Sequence, residues 1–392
     1  MRVAIVHYWL VSMRGGEKVV EALSDLFPTA DIFTLVLDEK AISDKLRRHN
    51  IHTSFLQRIP GAVKHYQSLL PLMPYALEHL DMSRYDLVIS SESGPAKGVI
   101  PQPDATHVCY CHSPMRYIWD HYHQYRSTKG LLARTLMPIF APALRQWDVT
   151  TAARVDQFVA NSTHVAQRIA RFYRRDATII PPPVDIDAFA PSDAVDDFYL
   201  CAGQLVGYKR VDLAVEAFTR MGKRLVVIGE GEDRSRLEAL AGPTVTFLGR
   251  APFEVLRESL ARCRALVFPG EEDFGIVPVE AMASGRPVLA YGRGGAIDTV
   301  IPGVLGLTFE HQTVEDLVAV VERFEREEVR FDPLALRRHA ASFDVSVFKR
   351  RMRALVDNAL AAHARPPTEE VVAWPQLAPV SLAAAPLAAI RH

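Results

Sequence analysis

The sequence predicts an α/β fold in two units, each a sheet of short buried strands flanked by helices. Three observations carry that prediction. Short apolar runs alternate with helical patterns through both halves of the chain. Pro181, Pro182 and Pro183 stand in a row near the middle; a sheet interior cannot continue through them, so they mark a stiff, extended exit from the first unit. Residues 264–291, RALVFPGEEDFGIVPVEAMASGRPVLAY, read as strand, helix, strand, with apolar runs at 265–268 and 287–290 around a small-residue helical stretch. In an open α/β sheet, ligands bind beyond the carboxyl ends of the strands, so the loop carrying Glu272 is expected to face a site. Pro278 suits a helix start, which would place Glu280 in the first turn beside free backbone N–H groups.

Composition sets the outer bounds. The chain has 392 residues, 49% hydrophobic and 23% charged, which suits a globular protein of two or three domains with sizeable cores. Residues 1–190 carry 21 Lys and Arg against 18 acids, and the remainder 24 against 28. That mild asymmetry suggests at most a membrane-surface or phosphate-facing patch on the N-terminal half and argues against nucleic-acid binding. Cys109, Cys111, Cys201 and Cys263 show neither zinc spacing nor a disulfide framework and read as reduced, buried thiols of a cytoplasmic protein. No signal sequence is read at the start, and the apolar stretch at 131–144 is interrupted by Arg134, Pro138 and Pro142 and falls short of a membrane span.

Along the first half, strands are expected at 3–6, 31–35, 86–91, 106–111, 157–160 and 177–180, and helices at 41–49 and 66–80. Gly15 and Gly16 open a helix that runs through residue 27, without the full G-x-G-x-x-G fingerprint of a dinucleotide site. The pair is either tight turn chemistry or a turn that lets substrate approach the helix N-terminus. His112 follows a strand at its carboxyl end and precedes a dense aromatic and basic run, Arg116, Tyr117, Trp119, His121, Tyr122, His123 and Tyr125, which points to a site. The helical stretch 131–149 packs on the first unit or lies on a bilayer surface; its periodicity does not choose. Ser162 is the expected N-cap of a helix at 165–173.

The second half opens with a strand at 198–202, followed by Lys209 and Arg210 at the start of an amphipathic helix, 211–220. Cations there oppose the helix dipole unless something anionic is present, so the pair is either an anion site or two solvated cations on a turn. A strand at 225–228 runs into Gly229 and Gly231, whose acidic neighbours and missing third Gly exclude a dinucleotide loop. A strand at 244–248 and a helix at 253–263 precede the central string. Asp298, in the glycine-rich turn 292–298, is expected to cap or order that loop, and helices follow at 314–325 and 345–361. The Pro- and Ala-rich residues from 365 on show no period and are expected to be loosely ordered.

Glu272, Phe274 and Gly275, Pro278, Glu280 and Ala281, then Gly285, Pro287 and Val288 stand in a register that resembles the signature of glycosyltransferase family 4, the retaining sugar-nucleotide transferases. The resemblance covers residues 1–360 and implies two Rossmann-like domains facing a cleft, the GT-B type. An acceptor-side domain would occupy 1–183, a nucleotide-sugar domain 194–345, and a helix at 346–363 would cross back to the first domain, ahead of the tail at 364–392. It also implies the roles. Glu272 and His112 would lie at the donor sugar as the catalytic residues, Glu280 would hold the ribose, and Phe274 and Gly275 would bring backbone amides to the sugar or phosphate. Gly15 and Gly16 would line the cleft, Gly231 would lie near the nucleotide, and Lys209 would bind the diphosphate. Arg210 would stand in for the Arg usual in the motif, whose place is taken by Gln204. The run from His112 to Asp120 resembles bacterial mannosyltransferases that build surface polysaccharides. GDP-mannose is therefore the first-choice donor, ahead of UDP-glucose, with a lipid-linked saccharide acceptor, peripheral contact with anionic membrane and no metal. A nucleotide-sugar epimerase and a non-catalytic sugar-nucleotide binding protein are the alternatives.

Overall fold

A computed structural model describes residues 1–128, 131–326 and 331–363. The tail at 364–392 lies outside the described residues.

Parallel strands covered on both faces need unbroken apolar runs, and the chain has two sets of them. The first set comprises β1 (Val3–His7), β2 (Asp31–Thr34), β3 (Ile51–Thr53), β4 (Leu87–Glu92), β5 (Thr106–Cys111), β6 (Gln157–Ala160) and β7 (Ala177–Ile179). They form a seven-stranded sheet in the order β3-β2-β1-β4-β5-β6-β7, parallel at every pairing, with Ile5 of β1 registered between Ile32 and Ile89. Every residue of β1, β4 and β5 is buried.

The second set is β8 (Tyr199–Ala202), β9 (Leu225–Ile228), β10 (Val245–Gly249), β11 (Leu266–Phe268), β12 (Val288–Tyr291) and β13 (Gly306–Phe309). Its order, β10-β9-β8-β11-β12-β13, is also wholly parallel. In both sheets the chain winds outward from the first strand, then returns to the other side. The reversal falls between β1 and β4 in one and between β8 and β11 in the other, and such a switch point leaves a crevice at the strands' carboxyl ends.

The two passages between the sheets run side by side. Val184, just after the prolines, accepts the Val345 N–H at 3.2 Å and donates its own N–H to Phe343 O at 3.0 Å. The helix Val345–His363 then lies on the first domain, where Phe348, Met352 and Val356 join a core with Ile5, Val20, Leu23 and Tyr110. Lys349, 2.5 Å from Asp25, pins its outer face.

Five local readings change. Strands β3 and β13 were not expected: β3 is short and only partly buried, and β13 carries Gly306, whose missing side chain lets the backbone come within reach of Val288 O. The helix expected at 66–80 begins as a 3₁₀ stretch, Tyr66–Leu72, and becomes α-helical only over Met73–Glu78, because Pro71 withholds an N–H from an α ladder. The helix expected at 41–49 shortens to Asp44–Arg47. The helix after β11 starts at Ile276 behind Gly275, which takes φ 83°, so Glu280 sits in the second turn instead of the first.

The helix Leu131–Thr151 includes Pro138 and Pro142. Leu144 packs against Met115 and Ile118 of the first domain, while Leu136, Ile139 and Phe140 are exposed, Ile139 at 66%. Among the described residues no helix is long and apolar enough to cross a membrane.

Candidate active site

Both loops at the second sheet's switch point carry predicted residues, and they touch. After β8 the chain passes Gly203 and Gln204 to a 3₁₀ turn, Gly207–Lys209; after β11 it passes Gly270, Glu272 and Asp273 to the helix Ile276–Ala283. Lys209 Nζ lies 2.9 Å from Glu272 Oε1. A side chain on Gly270 would come within 2.7 Å of Lys209 Cα, so only glycine allows the approach. Glu272 is thus an anion of the kind that cations at a helix start demand. Burial works against the Lys209 ammonium, but the carboxylate outweighs it and holds the lysine above its usual range. Arg210 turns away: in the left-handed region at φ 50°, it places its guanidinium 3.2 Å from Asp212 Oδ1. Lys209, and not Arg210, is the cation on Glu272.

Glu280 differs from Glu272 in having no partner. Its side chain accepts no hydrogen bond from the described residues, and burial alone pushes its carboxyl up to about 7. A half-buried carboxylate without a donor is poised to receive hydroxyls.

The glycines near these loops have structural duties. A Cβ on Gly231 would lie 2.0 Å from Leu205 O, and one on Gly229 1.8 Å from Gly203 O, so these two glycines let the 203–206 and 229–231 loops pack backbone to backbone. Gly275 combines its positive φ with a Cβ direction blocked by the Phe268 ring at 2.7 Å. The Phe274 ring is buried in the second domain's core, 5.7 Å from Phe343, which leaves only its backbone on the loop.

On the facing side, His112 follows β5 as expected. Its Nε2 is 2.9 Å from Ser91 Oγ, and Ser91 also meets His7: His7 Nδ1 is 3.0 Å from Ser91 O. A carbonyl only accepts, so His7 Nδ1 carries the proton; its buried Nε2 has no partner. Burial lowers His7 to about 3 and His112 to about 4, so both imidazoles are neutral at pH 7. Gly16 faces this group, its missing Cβ direction 3.5 Å from His7 Cε1 and 3.7 Å from His112 Nε2. The Gly15 direction points across the cleft, 2.9 Å from Ile276 Cδ1, so the glycine pair lets two helix starts from different domains meet. At the helix N-terminus, Glu17 Oε2 accepts the Arg14 N–H at 2.9 Å, which sets a carboxylate beside the first-turn amides. A phosphate at those amides would meet a carboxylate.

The segment after His112 rests on a buried charge cluster. Lys97, fully buried, pairs with Asp148 and, at 3.5 Å, with Glu92, the last residue of β4. One ammonium serves two carboxylates, and burial pushes Glu92 up to about 7. Asp148 also accepts the Trp119 indole N–H at 2.8 Å, and Glu92 O accepts the His112 N–H at 2.6 Å. Both ends of the 112–119 segment are therefore fastened to the cluster.

Sequence reasoning missed His7, Ser91 and Asp273. His7 and Ser91 were available to it, because both lie at carboxyl ends of strands flanking the first switch point. Asp273 shares the loop after β11 with Glu272, but nothing in its own neighbourhood showed its partners. Its carboxylate reaches the first domain, with Oδ1 2.5 Å from Arg116 Nη2, 3.1 Å from Arg168 Nη1 and 3.3 Å from Ser113 Oγ. Burial opposes its charge, yet Arg116 and Arg168 outweigh that and hold it below the usual carboxylate range. Asp298 also crosses, accepting the Thr163 N–H at 2.6 Å where the helix Thr163–Tyr173 begins. The expected loop-ordering acid caps a helix of the other domain.

Two doubly wound units joined by paired crossings, with their switch points facing, define the GT-B class of sugar-nucleotide transferase folds. Residues 13–188 match the model of Glycosyltransferase Family 4, and residues 185–341 that of Glycosyl transferases group 1. The chain belongs to this two-domain glycosyltransferase family. It is 31% identical over 212 residues to a GDP-mannose-dependent alpha-mannosyltransferase of Mycobacterium tuberculosis, covering 48% of this chain and 54% of the relative. It is equally 31% identical over 226 residues to a D-inositol 3-phosphate glycosyltransferase of Geodermatophilus obscurus, covering 49% and 50%. The chain thus spans about half the length of these curated relatives. Among solved structures, the sucrose-phosphate synthase of Thermosynechococcus elongatus superposes with a TM-score of 0.71 at 19% identity, over 92% of this chain and all of that one. The Anabaena HepE protein in complex with UDP and glucose superposes at 0.68 with 16% identity, over 91% and 99%. Likeness at such identity is a likeness of fold.

Proposed function

We propose that the chain is a retaining glycosyltransferase that moves mannose from GDP-mannose to a lipid-linked saccharide acceptor in bacterial surface-polysaccharide synthesis. The observation that carries this reading is the Lys209–Glu272 pair at the second switch point, with Glu280 unpartnered on the following helix. As the bond from the anomeric carbon to the diphosphate lengthens, negative charge gathers on phosphate and positive character on the sugar. Lys209 has three N–H groups; one serves Glu272 and two remain for phosphate oxygens. Glu272, paired with the ammonium, accepts sugar hydroxyls and favours the positive sugar. Glu280 takes the ribose hydroxyls. Neutral His112 offers the sugar a hydrogen bond without a competing full charge. Because Lys209 supplies the cation at the phosphate, transfer is expected to proceed in chelator without a divalent metal.

The mannosyltransferase relative supports the choice of donor, and the inositol-phosphate relative names the acceptor class that competes with a lipid-linked saccharide. Against a phosphorylated acceptor stands Glu17, which occupies the helix start beside Gly16. Peripheral contact with anionic membrane belongs to the same proposal, through the exposed apolar face around Ile139 on the first domain.

The test is a transfer assay with GDP-mannose or UDP-glucose as donor and either membrane lipid extract or inositol 3-phosphate as acceptor. Mannosylated lipid with the donor's anomeric configuration is the expected product. Conversion of the donor without any acceptor would instead identify an epimerase, and tight donor binding with no conversion a binding protein. Vesicle flotation at low salt with anionic lipid tests the membrane contact, and no binding there would remove it.

A further inference from the structure

Arg116 is mostly buried in the first domain, yet its guanidinium reaches the second, with Asp273 at 2.5 Å and the Tyr208 ring at 5.4 Å. Arg168 is held from its own side by Asp120 at 2.7 Å and by Pro114 O at 3.3 Å, so it presents a fixed donor to Asp273. Both cations and the Ser113 hydroxyl converge on one carboxylate oxygen. The backbone repeats the pattern. Glu272 O accepts the Gly295 N–H of its own domain at 2.7 Å, and the next carbonyl, Asp273 O, accepts the Ser162 hydroxyl of the first domain at 2.5 Å. Two successive carbonyls are thus tied to two different walls, and the side chain between them is that of Asp273, with Glu272 just ahead of it.

We propose that Asp273 is a positioning residue: clamped by Ser113, Arg116 and Arg168 of the first domain, it sets the loop on which Glu272 meets Lys209. The second domain's half of the site then comes into register only when the first domain is docked against it. The identity of the clamp's donors supports reversibility. A guanidinium released from Asp273 is stable in water, whereas an apolar contact of the same size would resist separation. The inference rests on the proposed transfer reaction for its kinetic consequence, but its structural part does not.

The experiment uses the full chain with Asp273→Asn, Arg116→Gln and the double variant, read by hydrogen exchange and by transfer from GDP-mannose. Both single variants are expected to raise amide exchange at residues 270–276 while leaving β8 and β11 protected. A loop displaced by about 1 Å should cost about 10²-fold in turnover, with little change in KM, and the double variant should be no worse than either single one. Ser113→Ala removes a longer contact and should give the same pattern at smaller size, should Asp273→Asn fail to fold. Unchanged exchange at 270–276, or effects of Asp273→Asn and Arg116→Gln that add, would overturn the clamp. If the wild-type protein transfers nothing from GDP-mannose, the proposed donor fails while the exchange comparison still decides the clamp.

Discussion

The two walls of the cleft hold their site residues by different physics. On the first domain, the His112 segment is fastened to a buried ionic cluster, Lys97 with Glu92 and Asp148, and the groups it presents are neutral imidazoles and hydroxyls. On the second, Lys209 and Glu272 stand on loops that pack backbone to backbone at glycines, and the groups they present are charged. A buried cluster holds position by the cost of breaking it, and a glycine-lined loop by having no room to move. A charged donor needs charges to meet it, and a hydroxylated acceptor is met by neutral donors and acceptors. The proposed reaction uses this difference, with the nucleotide's charge met at the second wall and the acceptor received at the first.

The largest expected effect tests the first wall's foundation. Lys97→Met leaves two buried carboxylates without their cation, which should destabilise the protein by about 3–5 kcal/mol. Thermal or denaturant unfolding with a probe in each domain would check it; the loss should fall on the first domain. An unchanged midpoint would mean that Glu92 and Asp148 do not depend on Lys97.

Next comes the second wall's chemistry. Lys209→Ala should lower turnover about 10²-fold or more, or about 2.7 kcal/mol, if the ammonium stabilises developing phosphate charge. Near-normal turnover would take Lys209 out of the site.

The two glutamates should then separate. Glu280→Gln is expected to weaken donor binding by about 1.5–3 kcal/mol for a lost charge-assisted bond, while Glu272→Gln should lower saturated turnover more than affinity. Calorimetry and steady-state kinetics on both variants decide this, and equal effects on both quantities would mean that the pair acts as one unit.

A smaller effect follows from the Glu280 carboxyl, raised to about 7 by burial alone. Ribose hydroxyls donate to the ionised form, so the donor-bound protein holds this proton less tightly than the free one. The sign is then fixed: affinity is full above pH 7 and falls as pH drops through it, by up to about tenfold per unit. Glu280→Gln should flatten the profile. Smallest of all, Ser91→Ala removes the hydroxyl on His112 Nε2 but leaves the carbonyl on His7, and should cost about 1 kcal/mol, or about fivefold in turnover. An unchanged rate would show that Ser91 does not orient the imidazole.

What the sequence determined by itself is the part written in local patterns. Apolar runs of strand length between helical periods specify two parallel sheets, and the carboxyl-end rule then picks out His112, Glu272 and the Lys209 turn, because the loops after buried strands have one direction in which to lead. Ser162 was legible as a helix cap for the same local reason. The tertiary structure alone decided which of these residues meet. Lys209 and Glu272 are 63 positions apart and touch because β8 and β11 are neighbours at the switch point. Arg210 was as good a candidate by type and lost its place to a left-handed turn that aims it at Asp212. Gly231 is expected by resemblance to lie near the nucleotide, and the structure adds a packing duty that the sequence did not show, since a missing side chain reads the same in sequence whether a ligand or a backbone fills the space. Asp273 shared the loop after β11 with Glu272, but its partners come from the loop after β5 and the helix after β6 of the other domain, and a charge whose complement arrives only on docking does not show that complement in its own neighbourhood.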